Sequence, residues 1–167
     1  DPSADVNGDD VSSKLKILSS LCFNSFLNNN IYVEGIKNID KTDINNANKL
    51  GYKIKLLGFA ELLNNKIYQR VHPTLIKKDS YVASIDGVLN AVIVEGRPVG
   101  QSTIQGEGAG PEATTSALIS DISSVLRGNI KFPFSISNKK RKKLKFEKID
   151  ERFFSAYLRF EVIDKPG

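Results

Sequence analysis

Methionine and tryptophan are both missing from these 167 residues, and cysteine and histidine occur once each, as Cys22 and His72. A single cysteine excludes an internal disulfide and points to a reducing compartment, so a cytoplasmic setting is expected. One histidine and one cysteine are too few nitrogen and sulfur ligands for the usual zinc site, and no metal is expected. No apolar run approaches the roughly 20 residues that span a bilayer, and no secretory signal pattern opens the chain. Without Met at position 1 the chain reads as a processed product or a piece of a longer one. The ends favour a piece: Asp1-Pro2-Ser3-Ala4 starts inside a loop, and Asp164-Lys165-Pro166-Gly167 is a turn leading nowhere.

What is present is ordinary for a globular domain: 40% hydrophobic and 26% charged residues, enough for one sizeable core and part of a second domain. The net charge of +5 is uneven, gathered in Lys139-Lys140-Arg141-Lys142-Lys143 with Lys145 and Lys148. Such a block suits a polyanion. No aromatic stacking platform accompanies it, so a solvated linker is the preferred reading and nucleic acid is not expected as a partner. The alternative kept open is a non-enzymatic, basic-tailed α+β module that binds a polyanion such as nucleic acid.

Along the chain, Asn7-Gly8 is a turn and Asp9 or Asp10 an N-cap for a helix over 10–26. Asn28-Asn29-Asn30 is a loop, and Ile31 to Ile36 a short β-leaning run. Thr42 or Asp43 caps a helix over 44–50, closed by Gly51. Strands are expected at 52–60 and 66–71, joined by Asn64-Asn65, then at 81–85, 87–94 and 101–105. Pro111 opens a long helix ending near Arg127-Gly128, and 153–162 reads as a strand. The fold class is α+β: one mixed, largely antiparallel sheet with helices mainly on one face. No Rossmann nucleotide-binding domain is expected within the chain, since Gly106-x-Gly108-x-Gly110 lacks the G-x-G-x-x-G spacing.

At 100° per residue, Val11, Leu15, Leu18 and Cys22 fall on one face of the first helix, and Ile17 and Leu21 widen the arc past Lys14. Asp10 sits one turn before Lys14. The pair is open to two readings: an ordinary i,i+4 surface pair, or a half-buried ammonium oriented by Asp10 and poised to hand a proton to an oxyanion.

Several blocks together resemble homoserine dehydrogenase over nearly the whole chain. They are Ala4-Asp5-Val6-Asn7-Gly8-Asp9-Asp10-Val11-Ser12-Ser13-Lys14-Leu15, Val33-Glu34-Gly35-Ile36, Leu50 to Gly58, Arg70-Val71-His72-Pro73-Thr74-Leu75, Leu89-Asn90-Ala91-Val92, and Gly106-x-Gly108-Ala109-Gly110 ahead of the helix with Asp121. The resemblance implies NAD- or NADP-dependent interconversion of L-homoserine and L-aspartate 4-semialdehyde in threonine, methionine and isoleucine biosynthesis. It implies Lys14 as proton donor or acceptor with Asp10 as its partner. Asp5, Asp10 and Lys14 would bind substrate, and Gly106, Gly108 and Gly110 would lie beside the nicotinamide. It further implies a homodimer built through 81–105, and a family cofactor domain upstream of Asp1, so that this chain alone is inactive. The expected division is a catalytic and dimerisation domain at 1–134, a basic linker at 135–152, and the first strand of an ACT regulatory domain at 153–167. His72, in an extended run before Pro73, is read as structural, and Lys53 and Lys55 as a solvated or interfacial face.

Overall fold

The computed structural model describes residues 1–27, 31–129, 136–163 and 165; the expected loop at 28–30 and turn at 164–167 lie outside them or nearly so. Gly8 divides the start of the chain. It stands at φ +84° between a short helix α1 (Ser3–Asn7) and α2 (Asp9–Phe23), closing the first and preceding the second. That left-handed backbone is open to glycine at little cost. The expected aspartate cap is therefore replaced by a glycine corner.

The centre of the fold is a hairpin of two twelve-residue strands, β2 (Tyr52–Leu63) and β3 (Lys66–Lys77), paired antiparallel throughout. Asn64 and Asn65 both take positive φ, the primed turn whose twist matches two-residue hairpins. The first half of the other edge of β3 is paired with two short parallel strands, β1 (Tyr32–Val33) opposite Arg70 and Val71, and β6 (Lys145–Phe146) opposite Lys66 and Ile67. Helix α3 (Lys41–Lys49) is capped by Asp40 in a capping box with Asp43, two to three residues earlier than the sequence suggests. The remaining strands, β4 (Leu89–Gly96) and β5 (Gly100–Glu107), pair only with each other. Two sheets thus stand where one was expected. Tyr81–Ser84 is a turn of 3-10 helix rather than a strand. Helix α4 (Pro111–Leu126) follows its expected bounds.

Leu15, Ile31 and Val71 form the core, packed by Val11, Val33, Leu56 and Ala60. The face that α2 turns inward differs from the expected one. Ser12, Leu15, Ser19 and Ser20 are buried, whereas Ile17 is 54% and Leu21 49% exposed, and Cys22 is exposed. Small side chains let the helix sit close, and Ser19 satisfies its hydroxyl within the helix on the Leu15 carbonyl at 2.6 Å. The bulky residues are left on the outer flank.

The segment after residue 136 is strapped across this layer. Arg141, 8% exposed in the block read as a solvated linker, donates to the carbonyls of Ser20 (3.2 Å) and Ser25 (2.6 Å) at the end of α2. A cation there satisfies helix carbonyls that have no partner within the helix. Arg152 forks onto Glu147 and reaches Glu61 on β2, with its guanidinium 4.3 Å from the Tyr68 ring centre. Phe154 lies 4.4 Å from the Arg70 guanidinium on the same sheet. Residues 153–163 form neither helix nor strand, because among the described residues no neighbouring strand offers them a ladder. Instead Arg159 and Tyr157 grip Asp43, a carboxylate buried at the start of α3.

Candidate functional site

The corner at Gly8 carries the expected catalytic groups. Lys14 Nζ lies 2.7 Å from Asp10 Oδ2, an i,i+4 ion pair on the outer flank of α2 with side chains 50% and 39% exposed. The lysine is thus paired, but it is not on the buried face that the periodicity suggested. Its helix neighbours one and two turns on are the exposed Ile17 and Leu21, so the ammonium stands at the border of an apolar strip. Asp5 is exposed on α1, before the corner, and among the described residues no side chain pairs with its carboxylate. Asp10 and Lys14 are brought together; Asp5 is carried by the adjoining helix.

Two features beside the corner were not singled out as functional from the sequence. The Ile36 N–H donates to the Val6 carbonyl at 2.9 Å. A Cβ on Gly35 would stand 2.3 Å from Val6 O and 2.8 Å from Asn7 Cα, so only glycine lets this segment lie against the corner. The signal available was Val33-Glu34-Gly35-Ile36, a β-leaning run with a glycine inside it, which often marks close backbone approach.

The glycine loop lies elsewhere. Gly106 is in β5 and Gly110 precedes α4, and beta-carbons built on either meet nothing within 4 Å. Both positions face open space. Gly108 is different: its missing side chain makes room for Asn90, whose Nδ2 would stand 1.6 Å from a Cβ. No hydrogen bond or ion pair among the described residues joins this loop to α2, so the structure does not bring the expected cofactor and catalytic groups into contact.

Other polar groups are internally occupied. His72 Nδ1 is 2.7 Å from Pro73 O and 3.1 Å from Thr74 Oγ1, contacts within its own strand. Lys53 and Lys55, expected as a solvated or interfacial face, both clamp Asp86 at 2.8 and 2.6 Å. Their ammonium groups, Lys53 first and then Lys55, lower that carboxyl to about 2. Arg159, chiefly through its hydrogen bond, holds the Asp40 carboxyl far below the usual range. A groove of about 360 Å³ between α3 and the strap, lined by Asn46, Lys49, Leu50 and 157–160, contains none of the expected site residues. Among the described residues no group of three His, Cys, Asp or Glu side chains could hold a metal ion, and no helix is long and apolar enough to cross a membrane.

The family model described as homoserine dehydrogenase matches residues 1–123. The chain belongs to the homoserine dehydrogenase family. It is 38% identical to the homoserine dehydrogenase of Helicobacter pylori over 99% of its own length and 39% of that protein. With the Pseudomonas aeruginosa homoserine dehydrogenase it shares 44% identity over 76% of this chain and 30% of that one. A solved homoserine dehydrogenase from Thiobacillus denitrificans superposes with a TM-score of 0.79 at 37% identity, over 88% of this chain and 36% of that one. A hyperthermophilic archaeal homoserine dehydrogenase mutant in complex with NADPH superposes at 0.56 with 25% identity, over 77% of this chain and 35% of that one. The chain therefore spans about a third of the length of the homoserine dehydrogenases it matches.

Proposed function

We propose that this chain supplies the substrate end of a homoserine dehydrogenase active site, interconverting L-homoserine and L-aspartate 4-semialdehyde with NAD or NADP. The observation that carries the reading is the Lys14–Asp10 pair at 2.7 Å, open to a ligand and bordered by exposed Ile17 and Leu21. In reduction of the aldehyde, the Lys14 ammonium gives a proton to the carbonyl oxygen as it becomes an alcohol. In oxidation the Lys14 amine takes that proton back. Asp10 keeps the side chain aimed, and the open Asp5 carboxylate receives the substrate ammonium. A nicotinamide, when bound, accepts or supplies the hydride at the carbon. Gly106, Gly108 and Gly110 would lie beside it, Gly108 also making room for Asn90. The NADPH complex of the archaeal relative supports the cofactor class without choosing between NAD and NADP for this chain.

The apolar strip beside Lys14 is the face that a covering cofactor domain would dry, which would strengthen the proton transfer. We assign the cofactor mainly to such a domain outside these residues, and we retain a catalytic unit over 1–134, a connecting segment over 135–152 and the start of a regulatory ACT domain from 153. Pairing of two copies through the β4–β5 hairpin and a cytoplasmic setting belong to the same proposal. Lys14→Ala in the complete dehydrogenase should lower kcat by about 10²- to 10⁴-fold with the circular dichroism spectrum unchanged. Full activity in that variant sinks the proposal. The 167-residue chain alone should give no turnover of homoserine with NADP⁺; steady, chain-dependent turnover would show that the cofactor is held here after all.

A further inference from the structure

The strap and the catalytic corner grip the two ends of one short segment, residues 34–43. At its first end, the Ile36 N–H holds Val6 O and Gly35 lies flush on Val6 and Asn7, between the helix that carries Asp5 and the helix that carries Asp10 and Lys14. A turn closed by Ile39 N–H on Ile36 O at 3.0 Å follows. At its second end, Asp40 and Asp43 form the capping box of α3, and Arg159 Nη1 is 2.8 Å from both Asp40 Oδ1 and Asp43 Oδ1. Tyr157 donates a further hydrogen bond to Asp43 Oδ1 at 3.1 Å. Asp43 is 6% exposed, so loss of Arg159 would leave a buried carboxylate short of its charged partner.

We propose that Arg159 is a positioning residue for the substrate site. By fixing Asp40 and Asp43 it fixes where residues 34–36 press on the α1–Gly8–α2 corner, and so sets Asp5 relative to Asp10 and Lys14. A disturbance of the chain beyond residue 160 then reaches the substrate ammonium through one ten-residue lever. The effect on catalysis rests on the function proposed above; the mechanical link does not.

The test uses amide hydrogen exchange on the 167-residue chain and steady-state kinetics on the complete dehydrogenase, each for Arg159→Gln, Arg159→Lys and Gly35→Ala. In Arg159→Gln, exchange should rise by about threefold or more both at 40–47 and at 3–10. The KM for homoserine should rise by a similar factor while the KM for the dinucleotide stays put. Arg159→Lys, which keeps the charge and serves if the glutamine variant fails to fold, should recover part of each change. Gly35→Ala, acting at the corner itself, should raise exchange at 3–10 and leave 40–47 protected. Loosening confined to 40–47 in Arg159→Gln overturns the lever, and loosening at both ends with an unchanged homoserine KM overturns its effect on the substrate site. Exchange at 3–10 depends on no chemistry, so it separates failure of the lever from failure of the Lys14 assignment.

Discussion

Residues 1–77 with the strap, and residues 88–127, are built on different terms. In the first region every element meets another: α2 and α3 pack on the long hairpin, β1 and β6 pair with the first half of its β3 edge, and Ile67 and Val71 are wholly buried. In the second, β5 is exposed at all eight positions and α4 buries no residue, although it presents Leu118, Ile119, Ile122, Val125 and Leu126. One region makes its own core. The other offers apolar surface with nothing among the described residues to cover it, which is what an element shared with another domain or a second copy looks like. Burial, not secondary structure, separates the two.

That contrast is most directly broken by paired truncations. Ile67→Ala, in the fully buried β3 position, should cost about 2–5 kcal/mol in a urea melt. Ile104→Ala, 70% exposed on β5, should change the same melt by no more than about 0.5 kcal/mol while the chain is monomeric. A large Ile104 effect at low protein concentration would mean the hairpin is covered after all. Next in size, Arg141→Gln removes the cation from the end of α2 and should cost about 1–3 kcal/mol, with faster exchange in 18–24. No loss would return the basic block to the solvated linker first expected.

The smallest effect is expected at the joint between the two regions, where Lys53 and Lys55 hold Asp86. Its folded carboxyl sits at about 2 against an ordinary 3.8, so the stabilisation is complete above about pH 4 and is lost as pH falls through about 2. Asp86 is largely exposed, so salt should weaken the clamp. Asp86→Asn should therefore lower the neutral midpoint slightly and flatten the acid limb of a thermal melt, the variant and the parent converging as pH falls through about 2. An unaltered acid limb would remove Asp86 from the joint.

Much of this was legible from the residues. Asn64-Asn65 announced its hairpin, Pro111 and Gly128 bracketed α4, and the i,i+4 spacing of Asp10 and Lys14 is realised as an ion pair. The errors share one cause, which is tertiary packing. Helical periodicity ranks faces by hydrophobicity, but the buried side of α2 is rotated to take in Ser12, Ser19 and Ser20 beside Leu15. The basic run looked solvated because composition cannot show one arginine among several lysines reaching the end of a helix far away in sequence. Tyr81–Ser84 and 153–162 have strand-like residues but, among the described residues, no strand to pair with. As for the site, residue identity suggested the groups at the corner, whereas the lever behind it, Gly35 to Asp43, rests on contacts spread across the whole chain.

Arg141 sits 121 positions after Ser20, whose carbonyl it closes. A ribosome delivers α2 early and its stopper late. While the residues between them are being made, the last turn of that helix therefore lacks this cation, and the layer the two share is completed only once the basic stretch has left the exit tunnel.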